Sequence, residues 1–100
     1  MPLHIAQTST YVETDWWRWS VWLEGPEEEL EQVKKVVYVL HRTFPNPVQE
    51  ISNRASQFRL DSAGWGIFTI FARVHRHDGT VIKLEHPLKL WYPDGRLAQV

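Results

Sequence analysis

The chain contains no cysteine, which excludes a disulfide framework, thiol chemistry and any cysteine-ligated zinc site. A reducing compartment fits that absence, and a cytoplasmic location is expected. No apolar run approaches the roughly 18 residues of a membrane span, so no direct membrane contact is expected. The opening residues, Met1 to Ser9, carry neither the basic patch nor the apolar stretch of a secretory signal. A basic excess is missing too. Eleven Lys and Arg against twelve Asp and Glu leave a net charge of −1 with histidines neutral. Proteins that bind nucleic-acid polymers by displacing counterions usually carry the opposite balance, so no such partner is expected. There is no Gly-x-Ser-x-Gly elbow and no His-Glu-x-x-His pattern. An enzyme is therefore not expected, and neither is a cofactor.

What is present fits an ordinary folded domain. One hundred residues and 11.8 kDa are too few for two self-sufficient cores, so residues 1–100 read as one domain. The 43% hydrophobic and 23% charged residues exclude bulk disorder. Six residues are tryptophan, several-fold above average usage. Trp serves cores and recognition surfaces alike, and most of the six are expected in the core.

Turn signals at Gly25-Pro26, Pro45-Asn46-Pro47, Gly64 to Gly66, Asp78-Gly79, Pro87 and Pro93-Asp94-Gly95 cut the chain into short segments, the layout of a β-sandwich or barrel. From Trp16 to Glu24 the pattern alternates. Trp17, Trp19, Val21 and Leu23 point one way, and Trp16, Arg18, Ser20, Trp22 and Glu24 the other. Leu30, Val33, Val37 and Leu40 match a helical spacing behind Pro26-Glu27-Glu28-Glu29. The run Val36-Val37-Tyr38-Val39 favours a strand instead, because β-branched and aromatic side chains lose freedom in a helix. A strand is expected over 33–41, with a loop or short helical turn before it. Strands are also expected over 57–61, through Phe58 and Leu60, and over 66–76, through Phe68, Ile70, Ala72 and Val74.

The turn after residue 76 sets a register. A two-residue loop would pair Val74 with Lys83 and Ala72 with Glu85, mixing core and charge on one face. A three-residue loop, His77-Asp78-Gly79, pairs Val74 with Ile82 and Ala72 with Leu84 and buries the apolar set. Gly79 then takes the left-handed position of the bulged turn. The core is expected to contain Trp19, Val21, Val36, Tyr38, Leu40, Phe68, Ile70 and Leu84.

Two longer motifs carry a resemblance. The chain reads Trp19-Ser20-Val21-Trp22-Leu23-Glu24-Gly25-Pro26, then Val36 to Leu40 followed by His41-Arg42-Thr43-Phe44-Pro45-Asn46-Pro47. After Phe58-Arg59-Leu60 comes Gly64-Trp65-Gly66-Ile67-Phe68. The order and spacing resemble the YEATS domain over about residues 16–95. Glu27-Glu28-Glu29-Leu30 and Leu84-Glu85-His86-Pro87-Leu88 look most like its prokaryotic branch. The resemblance implies an immunoglobulin-like antiparallel β-sandwich of seven to eight strands and a non-catalytic reader of acylated lysine. It also implies a bacterial origin and allows a place within a larger signalling or membrane-associated protein.

Carried over by motif, His41, Thr43 and Phe44 line one side of an aromatic slot, and Gly64, Trp65 and Gly66 the other. The chemistry is coherent. Acylation removes the lysine charge and leaves a flat amide with an apolar tail. Phe44 and Trp65 can supply flat faces for it. The Thr43 hydroxyl can accept from the amide N–H, and the Trp65 backbone N–H can donate to the carbonyl. His41, two residues before Thr43 on an extended chain, would share its face and fix the hydroxyl. The glycines around Trp65 allow backbone conformations that a side chain forbids.

Other readings stand beside these. On residues alone, Phe44 reads as a core anchor, Gly64-Trp65-Gly66 as a turn whose Trp folds onto the sandwich, and His41 as an edge histidine. Core and ligand roles both stay open for Phe44. Where eukaryotic readers tend to place an aromatic, this chain has Asp15, so one outer wall is expected to be missing or acidic. Near Glu85-His86-Pro87 only Glu85 matches the acidic residues those readers carry, and Pro87 removes a backbone N–H. A protein-interaction scaffold with a vestigial slot is the alternative function, as is a binder of another flat ligand such as a nucleobase. His75 and His77 could present two metal ligands from one strand, but a third, His4 or His86, would have to converge. No metal site is assigned, and flanking Arg73 and Arg76 suit a solvated strand end.

Overall fold

Seven strands and one short helix follow one another along the chain in a computed structural model that describes residues 3–99. The strands are β1 (His4–Tyr11), β2 (Trp17–Glu24), β3 (Val33–Val39), β4 (Val48–Ile51), β5 (Leu60–Gly64), β6 (Thr69–Arg76) and β7 (Val81–Pro87), with α1 at Glu27–Leu30. They form two antiparallel sheets, β1-β2-β5 and β4-β3-β6-β7. The three-stranded sheet packed on the four-stranded one makes an immunoglobulin-like sandwich. Among the described residues no helix is long and apolar enough to cross a membrane.

Period-two alternation builds the core. In β2, Trp17, Trp19, Val21 and Leu23 are all buried, facing Val36 and Tyr38 of β3 and Ile70, Ala72 and Val74 of β6 across the sandwich. The Tyr38 hydroxyl donates to the Phe58 carbonyl at 2.7 Å, which satisfies a polar group inside the core, and burial pushes that phenol well above its usual range. The chain over 33–39 is a strand, as the β-branched run requires, and the acidic segment before it is a single helical turn. There Leu30 is the buried residue, while Glu27 and Glu29 bond Arg54 and Arg76.

The hairpin register is the three-residue form. Ala72 pairs with Leu84 and Val74 with Ile82, Arg76 N–H donates to the Thr80 carbonyl at 2.9 Å, and Gly79 has φ of +91°. Several expectations need correction. Only Trp17 and Trp19 of the six tryptophans are core residues, while Trp16, Trp65 and Trp91 are exposed and Trp22 is half-buried. The strand expected over 66–76 begins at Thr69, after a loop. The segment 57–61 is not a strand throughout. Asn53 caps a 3-10 turn at Arg54–Ser56, Gln57 and Phe58 follow with φ of 57° and 58°, and pairing begins at Leu60. Phe58 is buried because this turn tips it between the sheets, not because it alternates with Leu60. Phe68 and Leu84 are only half-buried against the core, since one lies on the loop before β6 and the other on the edge strand β7.

After β7 the chain packs back on the sandwich. Leu88, Leu90 and Ala98 are buried, and Trp91 bridges Leu97 across a turn at Pro93-Asp94-Gly95. The Trp17 indole N–H donates to the Trp91 carbonyl at 2.8 Å, tying this segment to β2.

Candidate functional site

The loop from β3 to β4 is closed at its base by the Leu40 N–H donating to the Pro47 carbonyl at 2.7 Å. Within it, Phe44 N–H reaches the His41 carbonyl at 3.0 Å, making a tight turn. His41 and Thr43 therefore meet across a turn rather than along an extended chain, because β3 has already ended at Val39. His41 Nδ1 lies 2.9 Å from Thr43 Oγ1 and accepts the Thr43 N–H at 3.3 Å. With Nδ1 an acceptor, the Thr43 hydroxyl can donate to the same nitrogen, which leaves its oxygen free to accept.

Phe44 leans inward. Its ring lies 6.2 Å from that of Trp19 and 5.3 Å from that of Phe68, while Trp19 and Phe68 are 5.9 Å apart. This aromatic triangle joins the core to the surface, and His41 stands at the edge of Phe68 at 6.3 Å. Phe44 is thus a packed residue and a surface-lining one at once.

Opposite, β5 ends at Gly64, and the chain swings out through Trp65, Gly66 and Ile67. The Trp65 side chain is 60% exposed; it does not fold onto the sandwich. Between the two loops opens a groove of about 280 Å³. All six residues singled out from the sequence line it: His41, Thr43, Phe44, Gly64, Trp65 and Gly66. Trp16, Pro45, Ala63, Ile67 and Phe68 complete the lining. None of these eleven carries an acidic, lysine or arginine side chain.

Gly64 acts differently from expectation. Among the described residues positive φ is recorded at Gly79, Gly95 and four non-glycines, and not at Gly64. A Cβ on Gly64 would meet Phe44 Cζ at an ordinary 3.7 Å, so this glycine contributes space beside the groove rather than an unusual backbone. The outer wall also differs. Asp15 does not line the groove; its carboxylate accepts the Tyr92 hydroxyl at 2.8 Å. Its neighbour Trp16 supplies an aromatic wall instead. The alternation of β2 marked Trp16 as pointing away from the core, and that was the available signal for it.

The histidines stay apart. His75 pairs with Lys35 and Val81 within its sheet, and His77 lies on the exposed turn. His86 Nε2 lies 2.7 Å from Gln7 Oε1, and His4 is 3.4 Å from Glu24. Among the described residues no three His, Cys, Asp or Glu gather as a metal site would need.

An uncharged aromatic groove between two loops at one end of an immunoglobulin-like sandwich defines the class, a small all-β domain with an open surface slot. The chain belongs to the prokaryotic YEATS domain family, whose model matches residues 17–89. It is 38% identical over 77 residues to the protein AF-9 homolog of Eremothecium gossypii, covering 72% of this chain and 36% of that one. Against transcription initiation factor TFIID subunit 14b of Arabidopsis thaliana the identity is 37% over 82 residues, covering 77% of this chain and 30% of that one. The chain thus spans about a third of the length of these curated relatives. Among solved structures, the Yaf9 YEATS domain recognizing H3K122suc peptide superposes with a TM-score of 0.75 at 28% identity, over 95% of this chain and 75% of that one. The Yaf9 YEATS domain bound to H3K27ac gives 0.70 at 27% identity, over 96% and 75%.

Proposed function

We propose that this chain is a non-catalytic reader that binds acylated lysine, on a protein or peptide, in the groove between the loops at 41–47 and 64–68. The observation that carries the reading is the exposed Trp65 standing across an open, uncharged groove from Phe44 and the His41–Thr43 pair. A flat acyl amide can lie between the aromatic faces. Its N–H finds an acceptor in the Thr43 oxygen, whose proton is occupied by His41 Nδ1. Its carbonyl is offered the Trp65 backbone N–H. A lysine ammonium would shed water to enter and meet no carboxylate there. Cation–π attraction to Trp65 offsets part of that penalty but supplies no directed hydrogen bond.

The two structures of the Yaf9 YEATS domain, one recognizing H3K122suc peptide and one bound to H3K27ac, support the ligand class. A slot exposed in this way also favours recognition over a vestigial scaffold. We infer in addition that residues 1–100 form one domain, that it works in the cytoplasm of a bacterium without membrane or nucleic-acid contact, and that no chemistry follows binding. Few atoms are gripped, so the affinity is expected to be modest, roughly micromolar to millimolar.

Calorimetric titration of two variants tests the site. Trp65→Ala should abolish binding without unfolding the protein, because the side chain is mostly exposed. Thr43→Ala should weaken binding by about 1–3 kcal/mol through the amide's lost acceptor. A folded Trp65→Ala variant with the parent affinity would overturn the assignment.

A further inference from the structure

One wall of the groove rests on strained backbone. Thr14 and Asp15, between β1 and β2, have φ of 49° and 55°, in the left-handed region that costs a non-glycine residue energy, most of all a β-branched one. Such strain persists only where the surroundings hold it in place. Here they do. The Tyr92 hydroxyl donates to Asp15 Oδ1 at 2.8 Å, the Asp15 N–H donates to the Tyr11 hydroxyl at 3.2 Å, and Val12 N–H reaches the Trp16 carbonyl at 2.8 Å. Tyr92 is itself fixed: its ring meets Trp17 edge-on at 5.0 Å and lies 5.7 Å from Tyr11, with the Arg96 guanidinium 4.9 Å from its centre.

The residue that leaves this loop is Trp16, which lines the groove. Thr14, Asp15, Trp16 and Tyr92 all lie outside residues 17–89, the part matched by the family model. We propose that Tyr92, acting through Asp15, is a positioning residue that sets Trp16 as an aromatic wall of the slot, so that the segment after β7 takes part in ligand recognition without touching the ligand. The ligand in this proposal rests on the acyl-lysine reading; the positioning does not.

Two readouts separate the two. In the ligand-free protein, the Trp16 indole N–H signal, identified by its loss in Trp16→Ala, should shift or broaden in Tyr92→Phe, which keeps the ring and removes the hydroxyl. Asp15→Asn, which retains an acceptor and tolerates the left-handed backbone, should keep the parent signal, whereas Asp15→Ala should lose it. With an acetyl-lysine peptide, Tyr92→Phe should bind about threefold to tenfold more weakly, the range of one lost hydrogen bond. The same change made on top of Trp16→Ala should cost nothing further. An unmoved Trp16 signal in Tyr92→Phe, or an equal loss of affinity with and without Trp16, would overturn the proposal. If the parent protein bound no acyl-lysine peptide, the binding reading would fall, and the ligand-free indole signal would still decide the positioning.

Discussion

Trp19 stands where the core meets the groove. It is 2% exposed and touches both Phe44 and Phe68, so its loss should undermine the sandwich and the slot floor together. Trp19→Ala is expected to cost about 3–5 kcal/mol, a large share of the roughly 5–15 kcal/mol that holds such a domain. Its indole N–H has no hydrogen-bond partner among the described residues, and removing that donor offsets a little of the loss. Denaturant titration checks this, and a change below about 1 kcal/mol would contradict a core role. At this scale the site was legible where chemistry sits in a compact motif. His41, Thr43, Phe44 and Trp65 are read from two short stretches and share one groove. Alternation placed Trp16 on the face away from the core, but its part in the lining, like that of Phe68, depends on how the two loops approach each other, which alternation alone does not encode.

The β6–β7 hairpin shows how an element becomes legible. One register buries Ala72, Val74, Ile82 and Leu84 and the other does not, so the hydrophobic pattern decides. The turn then needs a left-handed residue, which Gly79 supplies at φ +91°, and a Cβ at that position would have nothing within 4 Å. Gly79→Ala therefore meets no clash and bears the backbone cost alone, so it should lose about 1–2 kcal/mol. Chemical denaturation measures this, and an unchanged midpoint would mean the turn relaxes without penalty. The stretch 57–61 was illegible for the opposite reason. Phe58 and Leu60 are two apart and both buried, which imitates a strand. Two consecutive non-glycine residues at positive φ leave no such trace in a hydrophobic pattern. Leu30, Val33, Val37 and Leu40 have a helical spacing, yet the β-branched and aromatic run Val36 to Val39 gave the correct answer, a strand that ends at Val39 rather than 41.

For the whole molecule, the two sheets are tied at one edge by Gln7 of β1. Its amide donates to the Lys89 carbonyl at 2.7 Å, and its Oε1 accepts the Lys89 N–H at 2.9 Å and faces His86 Nε2. Burial, assisted by Lys89, holds His86 below its usual pKa of 6.5. A base so depressed binds fewer protons folded than unfolded, so stability is full above about pH 6.5 and falls as pH drops through the folded value. Further acidification adds Asp61, whose carboxyl is held below its usual 3.8 by hydrogen bonds from Ser20 and Arg59. Thermal unfolding from pH 8 downwards should show the first decline beginning near pH 6.5, and His86→Gln should flatten it; a parent protein that gains stability over that interval would contradict the assignment. The central functional claim concerns charge. The decisive measurement is a calorimetric titration of the parent protein with two peptides of one sequence, differing only in whether the central lysine is acylated, repeated for acetyl, butyryl and succinyl groups. At least one acylated form should bind in the micromolar-to-millimolar range and about tenfold or more tighter than free lysine, which must desolvate its ammonium. Equal affinity for the two peptides, or no binding of any acylated form, would contradict it.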